Sequence, residues 1–299
     1  MLVAALRKLL GEFTPEVQDQ LEQTLVCAQP IQQTARAWRA WESRVSSSVM
    51  VGATPEKLRA EFARQTAYVF IVRLLLVRIC EDKGLFVRKQ DDAPRYLDYA
   101  SGRSYEYLTP MAYECAQNMY AHFYGAADVF DWYRMDDKIL LRALVVLNAF
   151  NLERIDTDII GTVYGRYLQE GKHEQGRYYT APTLVRTMLD QVGYVRGAIA
   201  DRRIADIACG SGSFLVEACR RLLDSFREAD GKIPTSRIET ALEEVRGALY
   251  GIDLNPFACY LAETNLLIQV LDLVRQAKDV GQNIVVQRFS IHCADSLVV

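Results

Sequence analysis

The sequence predicts an all-helical domain at residues 1–155, followed at residues 156–299 by an α/β domain built on a parallel sheet. Glycine is sparse over the first 150 residues, where apolar residues recur at a spacing nearer 3.6 than 2. Beyond residue 200, short apolar segments that end in acidic or small residues alternate with helical patterns. Alternation of this kind is typical of strand–helix units around a parallel sheet.

The helices of the first domain follow from apolar periodicity and from capping residues. The expected helices are 15–28, 32–49, 55–83, 104–124 and 138–150. Asp156 or Thr157 is expected to cap a further helix that ends at Tyr167. Segment 81–83 (Glu-Asp-Lys) resembles the E-x-K motif of restriction nucleases. That motif belongs on a strand of a mixed sheet, whereas this segment ends a long helical pattern, so we favour a helix end.

Beyond residue 180 the second domain has three expected strands and three expected helices. The strands are 204–207, 249–253 and 285–292, and the helices are 183–192, 214–227 and 257–274. Pro182 falls in the first turn of the first of these helices, where a missing amide costs nothing.

The run at 204–214 (IADIACGSGSF) carries the strongest chemical signal in the chain. An apolar strand ends at Asp206, and Gly210 and Gly212 then let the backbone pass close to a ligand that side chains would block. The following helix directs its first amides at the same place, which suits a carboxylate or another anion. Asp253 ends the next strand and is placed to bind a ribose diol. Together these features predict a nucleotide-type pocket.

A dinucleotide site is the common alternative for such a turn. It requires G-x-G-x-x-G/A and an acid about twenty residues after the glycines. Here Leu215 stands at the third glycine position, and Asp253 comes much later in the chain. The pattern therefore disfavours a nicotinamide or flavin cofactor.

Five segments in order resemble the S-adenosylmethionine (SAM) site of DNA adenine-N6 methyltransferases. They are 176–182 (GRYYTAP), 206–214 (DIACGSGSF), 251–258 (GIDLNPFA), 262–266 (AETNL) and 292–297 (HCADSL). The resemblance is greatest to the gamma class, found in modification subunits of type I systems, fused type IIG enzymes and phage-defence methylases. It covers roughly 155–299, and 72–85 and 158–168 resemble the helical region ahead of the methylase core.

The resemblance implies a Rossmann-like, SAM-dependent methyltransferase fold and a set of cofactor-binding residues. These residues are Tyr178, Thr180, Asp206, Cys209, Gly210, Ser211, Gly212, Asp253, Leu254, Asp295 and Ser296. Asp206 and the backbone of 209–212 would hold the methionine end of SAM, with Tyr178 and Thr180 closing that side.

The same resemblance assigns the adenosine end. Asp253 would accept hydrogen bonds from both ribose hydroxyls, and Leu254 would pack on the adenine face. Asp295 would accept from the adenine amine, with Ser296 beside it.

Several of these residues also have a purely structural interpretation. The two glycines could serve only to make a tight turn, and Asp206 and Asp253 could be helix N-caps. Asp295 could lie in an ordinary loop, and Tyr178 and Tyr179 could be packing residues.

The activity implied by the resemblance is methyl transfer from SAM to N6 of an adenine that is flipped out of duplex DNA. The family's catalytic motif, [ND]-P-P-[YF], is absent from the 299 residues, and 255–257 (Asn-Pro-Phe) lacks its second proline. We therefore expect an N-terminal fragment that has no catalytic residue, is inactive alone, and has an incomplete sheet with its first strand at an exposed edge. Methylation of RNA or protein, and a non-catalytic binding module in a defence complex, are the alternatives.

Composition predicts a cytoplasmic protein without a metal site. Seven cysteines are scattered with no C-x-x-C pair, which argues for reduced thiols and against zinc. The most apolar run, 67–80, contains Arg73 and Arg78 and is too short to span a bilayer. The net charge of −3 gives no overall basic footprint, so 172–177 is the best candidate for a DNA-facing loop. Expected partners are DNA, a specificity subunit or domain, and a nuclease, with no membrane.

Overall fold

The computed structural model describes residues 1–26, 32–46, 49–85, 119–120, 128–155, 163, 180–195, 197, 199 and 202–297. The chain divides into two compact units. One comprises Met1–Ala116 and Tyr124–Arg154, and the other comprises Gln117–Phe123 and Ile155–Val299. The domain boundary at 155 that the sequence suggests remains our proposal.

The described part of the first unit is helical. Its helices are α1 (Leu2–Val26), α2 (Gln32–Val45), α3 (Pro55–Asp82) and α4 (Asp137–Asn148), with a 3₁₀ turn at Asp128–Phe130. Helix α3 is the centre of this unit, because every residue from 65 to 80 is buried and α1, α2 and α4 all pack against it. Thr54 caps α3 by accepting a hydrogen bond from the Lys57 amide, and Pro55 occupies the first helical position.

The predicted start of the first helix was wrong, because α1 begins at Leu2 and runs through Pro15. A proline inside a helix costs about 3 kcal/mol because it removes one backbone hydrogen bond. Helix α1 nevertheless buries an apolar stripe on both sides of Pro15, namely Leu6, Leu9, Leu10, Phe13, Val17 and Leu21. Burial of several such side chains, each worth about 1.5–3 kcal/mol, outweighs the cost of the proline.

The second and later helices also depart from the expected bounds. The helix expected at 32–49 ends at Val45, and the one expected at 138–150 is Asp137–Asn148. Of the helix expected at 104–124, the structure describes only Met119 and Tyr120, and of the helix expected from Asp156 or Thr157 to Tyr167 it describes only Val163.

The nuclease-like segment is the end of α3, as expected. Asp82 accepts a hydrogen bond from the Leu152 amide (2.9 Å), and the buried Lys83 ammonium donates to the Glu153 carbonyl (2.7 Å). Asp82 also pairs with Arg78 (3.1 Å). These side chains join the end of a helix to a neighbouring segment and do not lie on a strand.

The second unit contains a three-stranded parallel sheet of β1 (Ile204–Asp206), β2 (Leu249–Asp253) and β3 (Ser290–Cys293), in the order β1-β2-β3. Its helices are α5 (Pro182–Gln191), α6 (Ser213–Phe226), α7 (Ile238–Ala248) and α8 (Pro256–Asp279), with a 3₁₀ turn at Thr235–Arg237. Helices α6 and α8 pack on the sheet and on each other, and α5 packs on α6. The small parallel sheet with β1 as an outer strand of the three agrees with the sequence prediction.

Several predicted bounds in this unit were wrong. Strand β3 begins at Ser290 and not at 285, since Val286 pairs instead with Tyr120 in an isolated parallel bridge. Strand β1 ends at Asp206, one residue early. Helices α5 and α6 each begin and end one residue early, and α8 runs from Pro256 to Asp279, five residues past its expected end. Helix α7 was not predicted at all.

Helix α8 forms much of the core of the second unit. Among the described residues it is the one helix long and apolar enough, by length and composition, to cross a membrane. However, 89% of its most apolar stretch is buried within the protein, as in the core helix of a globular domain.

Candidate functional site

The segment between β1 and α6, residues 207–212, forms a turn that is bound to the end of β2. The Cys209 amide donates to the Ile252 carbonyl (2.9 Å). The Gly210 amide donates to Oδ2 of Asp253 (2.9 Å). The last side chain of β2 therefore contacts the turn that follows β1, although the two are separated by more than forty residues in the sequence.

Two glycines of this turn have backbone angles that favour glycine. Gly210 has φ +54° and Gly212 has φ +87°, both in the left-handed region. A Cβ on Gly212 would lie 3.0 Å from Cβ of Ala262 on α8. Gly212 is therefore required both by its conformation and by the close approach of a helix.

A third glycine, Gly251, lies within β2 and leaves room for the turn. A Cβ there would lie 2.7 Å from Ile291 of β3, 2.8 Å from Leu215 of α6 and 3.1 Å from Cys209. Residues of the sheet, the turn and α6 thus all pack against the backbone of Gly251, where a side chain would clash with them.

The N-terminus of α6 opens onto the same turn. Its N-cap residue is Gly212, which has no side chain with which to bind the first helical amides. The first amides of a helix have no acceptor within the helix and carry partial positive charge. This helix end is suited to a carboxylate ligand.

Two carboxylates lie at the carboxyl ends of β1 and β2. Asp206 is half-buried, and burial raises its pKa, with the nearby charge of Asp253 acting in the same direction. One oxygen of Asp206 accepts from the Ala208 amide (3.2 Å). Asp253 is held by two backbone amides, those of Gly210 (2.9 Å) and Asn255 (2.8 Å). This acidic pair favours a ligand with positive charge nearby.

Neither aspartate is a helix N-cap, so that alternative interpretation was wrong. Gly212 precedes α6, and Asn255 caps α8 by accepting from the Phe257 amide (3.1 Å). Because the Asn255 side chain is buried and occupied in this way, segment 255–257 is a helix start, as the sequence indicated.

The remaining predicted site residues differ in their exposure and in their hydrogen bonds. Leu254 directly follows β2 and is 42% exposed. Asp295 follows β3, is exposed, and accepts from the Leu297 amide (2.9 Å). Ser296 is half-buried, as is Thr180 directly ahead of α5. Within the described part of the chain, no hydrogen bond joins Thr180, Asp295 or Ser296 to the turn, and Tyr178 lies outside the described residues.

Three cysteines from distant parts of the sequence gather near the same strand ends. The Cys259 thiol lies 3.5 Å from the His292 carbonyl and 3.6 Å from the Asp253 carbonyl, and the Cys293 thiol lies 3.5 Å from the Leu254 carbonyl. A hydrogen bond with Cys293 and burial raise the pKa of Cys259, and burial raises that of Cys209. The raised pKa keeps the thiols of Cys259 and Cys209 protonated at neutral pH. Among the residues with described positions, no group of three potential ligands is arranged to hold a metal ion.

Sequence reasoning missed one polar residue that contacts the turn. Asn265 of α8 is completely buried, and its amide nitrogen donates to the Ser211 carbonyl (2.8 Å). The available signal was its place in segment 262–266, which the resemblance singled out, three residues after Ala262 on the same helix face.

Comparisons with known proteins extend this description. Residues 155–297 match the family model described as N-6 DNA Methylase. The type I restriction enzyme MjaVII methylase subunit of Methanocaldococcus jannaschii is 29% identical over 141 residues, which make up 46% of this chain and 21% of that protein. The adenine-specific methyltransferase PglX of Streptomyces coelicolor is 24% identical over 290 residues, covering 82% of this chain and 22% of that protein.

The chain therefore spans about a fifth of the length of the curated relatives it matches. Among solved structures, the cryoEM structure of a DrdV-DNA complex aligns with 99% of this chain and 26% of its own, with a TM-score of 0.48 and 16% identity. The family match over residues 155–297 and the two curated relatives confirm the resemblance of this chain to the adenine-N6 DNA methyltransferase family.

Proposed function

We propose that the turn at 207–212 and the end of β2 bind S-adenosylmethionine. The intact protein would transfer the methyl group of SAM to N6 of adenine in DNA, within a restriction-modification or phage-defence system. The observation that carries the proposal is the hydrogen bond between the Gly210 amide and the Asp253 carboxylate, at the tips of adjacent parallel strands. It brings a glycine turn and an acid together where a nucleoside is held in α/β folds.

The methionine end of SAM fits the turn and the start of α6. The ligand carboxylate would accept from the first amides of α6, and the ligand ammonium would pair with Asp206. Positive φ at Gly210 and Gly212 keeps side chains away from this space. Tyr178 and Thr180 would close this side, as the family motif implies.

The adenosine end fits the tips of β2 and β3. Each oxygen of Asp253 accepts one backbone amide, and a carboxylate oxygen has capacity for a second donor. Asp253 would therefore accept the ribose hydroxyls while keeping its contacts to the turn. The exposed Leu254 would pack on the adenine face, and Asp295 with Ser296 would lie at the adenine amine.

Charge favours SAM over a dinucleotide at this position. A dinucleotide places its pyrophosphate at the N-terminus of the helix that follows the first strand. Here that position is close to Asp206 at the end of β1, and its carboxylate would repel a pyrophosphate. SAM instead offers an ammonium and a sulfonium.

When bound, SAM supplies a methyl group that is already activated by the sulfonium. The residues of this chain would orient it, and orientation is the main source of rate when the donor is activated. The 299 residues contain no two adjacent prolines, and so no [ND]-P-P-[YF] motif. We accordingly assign no residue of this chain to the target base, and we propose that the chain alone binds SAM without transferring the methyl group.

The proposed partners are duplex DNA with a flipped adenine, a specificity subunit or domain, and a nuclease. The names of the relatives, a type I methylase subunit and an adenine-specific methyltransferase, support these partners. A cytoplasmic location fits the five described cysteines, all of which are free thiols.

Isothermal titration calorimetry with SAM tests the proposal directly. The unaltered chain should bind SAM, and Asp253→Ala should weaken binding at least tenfold, since hydrogen bonds to a charged group are worth about 1.5–3 kcal/mol. Asp279→Ala is the matched control, because it removes an exposed carboxylate at the far end of α8. Absence of SAM binding by the unaltered chain, or equal affinity of the Asp253 variant, would refute the proposal.

A further inference from the structure

Helix α8 contacts the turn at two successive positions on one face. Ala262 packs against Gly212, and Asn265, three residues later, donates its side-chain amide to the Ser211 carbonyl (2.8 Å). Asn265 is fully buried. A buried amide is costly unless it is hydrogen-bonded, so this bond is a defined part of the packing.

The bond from Asn265 orients one peptide group. The Ser211 carbonyl and the Gly212 amide belong to the same peptide, and that amide donates to the Cys209 carbonyl (2.8 Å). Both polar groups of this peptide are therefore bound, one to helix α8 and one within the turn. Glycine at φ +87° would otherwise leave this peptide free to rotate, because glycine tolerates many backbone angles.

Helix α8 also begins shortly after Asp253, at the end of β2. One rigid element thus holds both the turn and the carboxylate that contacts the turn. The two halves of the proposed SAM site are connected through this helix, and Asn265 is its polar contact with the methionine half.

We infer that Asn265 is a positioning residue for the methionine end of the ligand, acting through the Ser211–Gly212 peptide and not by touching the ligand. This inference rests on the proposed function. It predicts that loss of the Asn265 donor affects one end of the ligand only. Recognition of the amino-acid end should be weakened, and recognition of the adenosine end should be unchanged.

Two ligands separate these ends. SAM carries both, whereas 5′-deoxy-5′-methylthioadenosine keeps the adenosine thioether and lacks the amino-acid end. Asn265→Leu, which has a similar size and no donor, should weaken SAM binding about tenfold and methylthioadenosine binding less than about twofold. Thr264→Val is the matched control, since the buried Thr264 hydroxyl donates to the Tyr260 carbonyl within α8 and not to the turn (2.8 Å). It should change neither affinity more than about twofold.

A second measurement does not depend on any ligand. Hydrogen–deuterium exchange of a peptide covering 209–216 should be faster in Asn265→Leu than in the unaltered chain and unchanged in Thr264→Val. Should Asn265→Leu fail to fold, the smaller Asn265→Ser replaces it in both measurements. Unchanged exchange, or equal weakening of both ligands, would overturn the inference. If the unaltered chain binds no SAM, the proposed function fails, while the exchange result still decides the role of Asn265.

Discussion

Asp206 and Asp253 occupy equivalent strand ends but experience different environments. Asp253 accepts two backbone amides, whereas Asp206 accepts one and is half-buried beside Asp253. Burial raises the pKa of Asp206 above its ordinary value of 3.8. The folded state therefore binds a proton more tightly than the unfolded state, and stability falls as pH rises from 3.8 through the raised pKa. A charged Asp206 is a cost to the ligand-free fold that a cationic ligand would relieve.

Asp206→Asn should separate stability from binding. The side-chain oxygen of the introduced asparagine still accepts from Ala208, and the buried charge is gone, so the free energy of unfolding at neutral pH should increase. The gain should shrink as pH falls, because Asp206 itself becomes protonated. Urea unfolding at acidic and neutral pH measures this difference, and calorimetry at neutral pH should show about tenfold weaker SAM binding from loss of the charge-assisted contact. A variant that is less stable at neutral pH would contradict the assignment.

The turn between β1 and α6 depends on backbone conformation more than on side chains. Gly212 precedes α6 at φ +87° and lies against Ala262, while Gly231 has a similar φ of +78° in open space. This pair isolates the effect of packing between the turn and α8.

Gly212→Ala should destabilise the protein more than Gly231→Ala. Both variants incur about 1–2 kcal/mol for a left-handed non-glycine residue. Only the first also forces a Cβ to 3.0 Å from Ala262, so its loss of unfolding free energy should exceed that of the control by about a further 1–3 kcal/mol, the cost of overpacking. Thermal or urea unfolding measures both values. Equal destabilisation by the two substitutions would show that α8 moves to accommodate the added Cβ.

The start of α8 belongs to the fold and not to the chemistry. Asn255→Ala removes the oxygen that accepts from the Phe257 amide, and it should lower the free energy of unfolding by about 1 kcal/mol. Asn255→Asp keeps an acceptor at the helix N-terminus and should retain most of the stability. Urea unfolding of the two variants provides the measurement, and a larger loss in the aspartate variant would argue against a capping role.

At the level of the whole chain, residues 117–123 are grouped with the second unit, although residues on both sides of them along the sequence belong to the first. Val286 donates its amide to the Met119 carbonyl (2.9 Å), and the Tyr120 hydroxyl donates to the buried Glu263 of α8 (2.8 Å). Burial and the Glu263 carboxylate raise the pKa of Tyr120, so its hydroxyl stays protonated and remains a donor. This contact connects an early part of the sequence to the helix that supports the candidate site.

Tyr120→Phe should lower the free energy of unfolding by about 1.5–3 kcal/mol, because a buried carboxylate loses a donor. Tyr194→Phe is the matched control, since in the described structure the buried Tyr194 hydroxyl makes no hydrogen bond. Removing this hydroxyl leaves no partner unpaired, so it should not lower the free energy of unfolding. Denaturant unfolding followed by circular dichroism compares the two. Similar losses in both would show that the Tyr120–Glu263 contact does not stabilise this unit.

Local chemistry made much of the candidate site predictable. The strand ending at Asp206, the turn with Gly210 and Gly212, and the strand ending at Asp253 are each specified within about ten residues by apolar runs, acids and glycines. Parallel strands bring their carboxyl ends to one edge, so the proximity of Asp253 to the turn follows from the strand order. The start of α3 at Pro55, directly after Thr54, was predictable for the same reason, since a capping residue and a proline mark a helix start locally.

Other features depended on partners far away in the sequence. Continuation of α1 through Pro15 required burial against α3, and the late start of β3 followed from pairing of Val286 with Tyr120. The contact of Asn265 with Ser211 joins residues more than fifty positions apart. The sequence by itself determined the turn motif and the positions of the two acids, because backbone sterics and charge act over a few neighbouring residues. Only the tertiary structure decided which residues of α8 contact that turn, because burial depends on which distant residues meet.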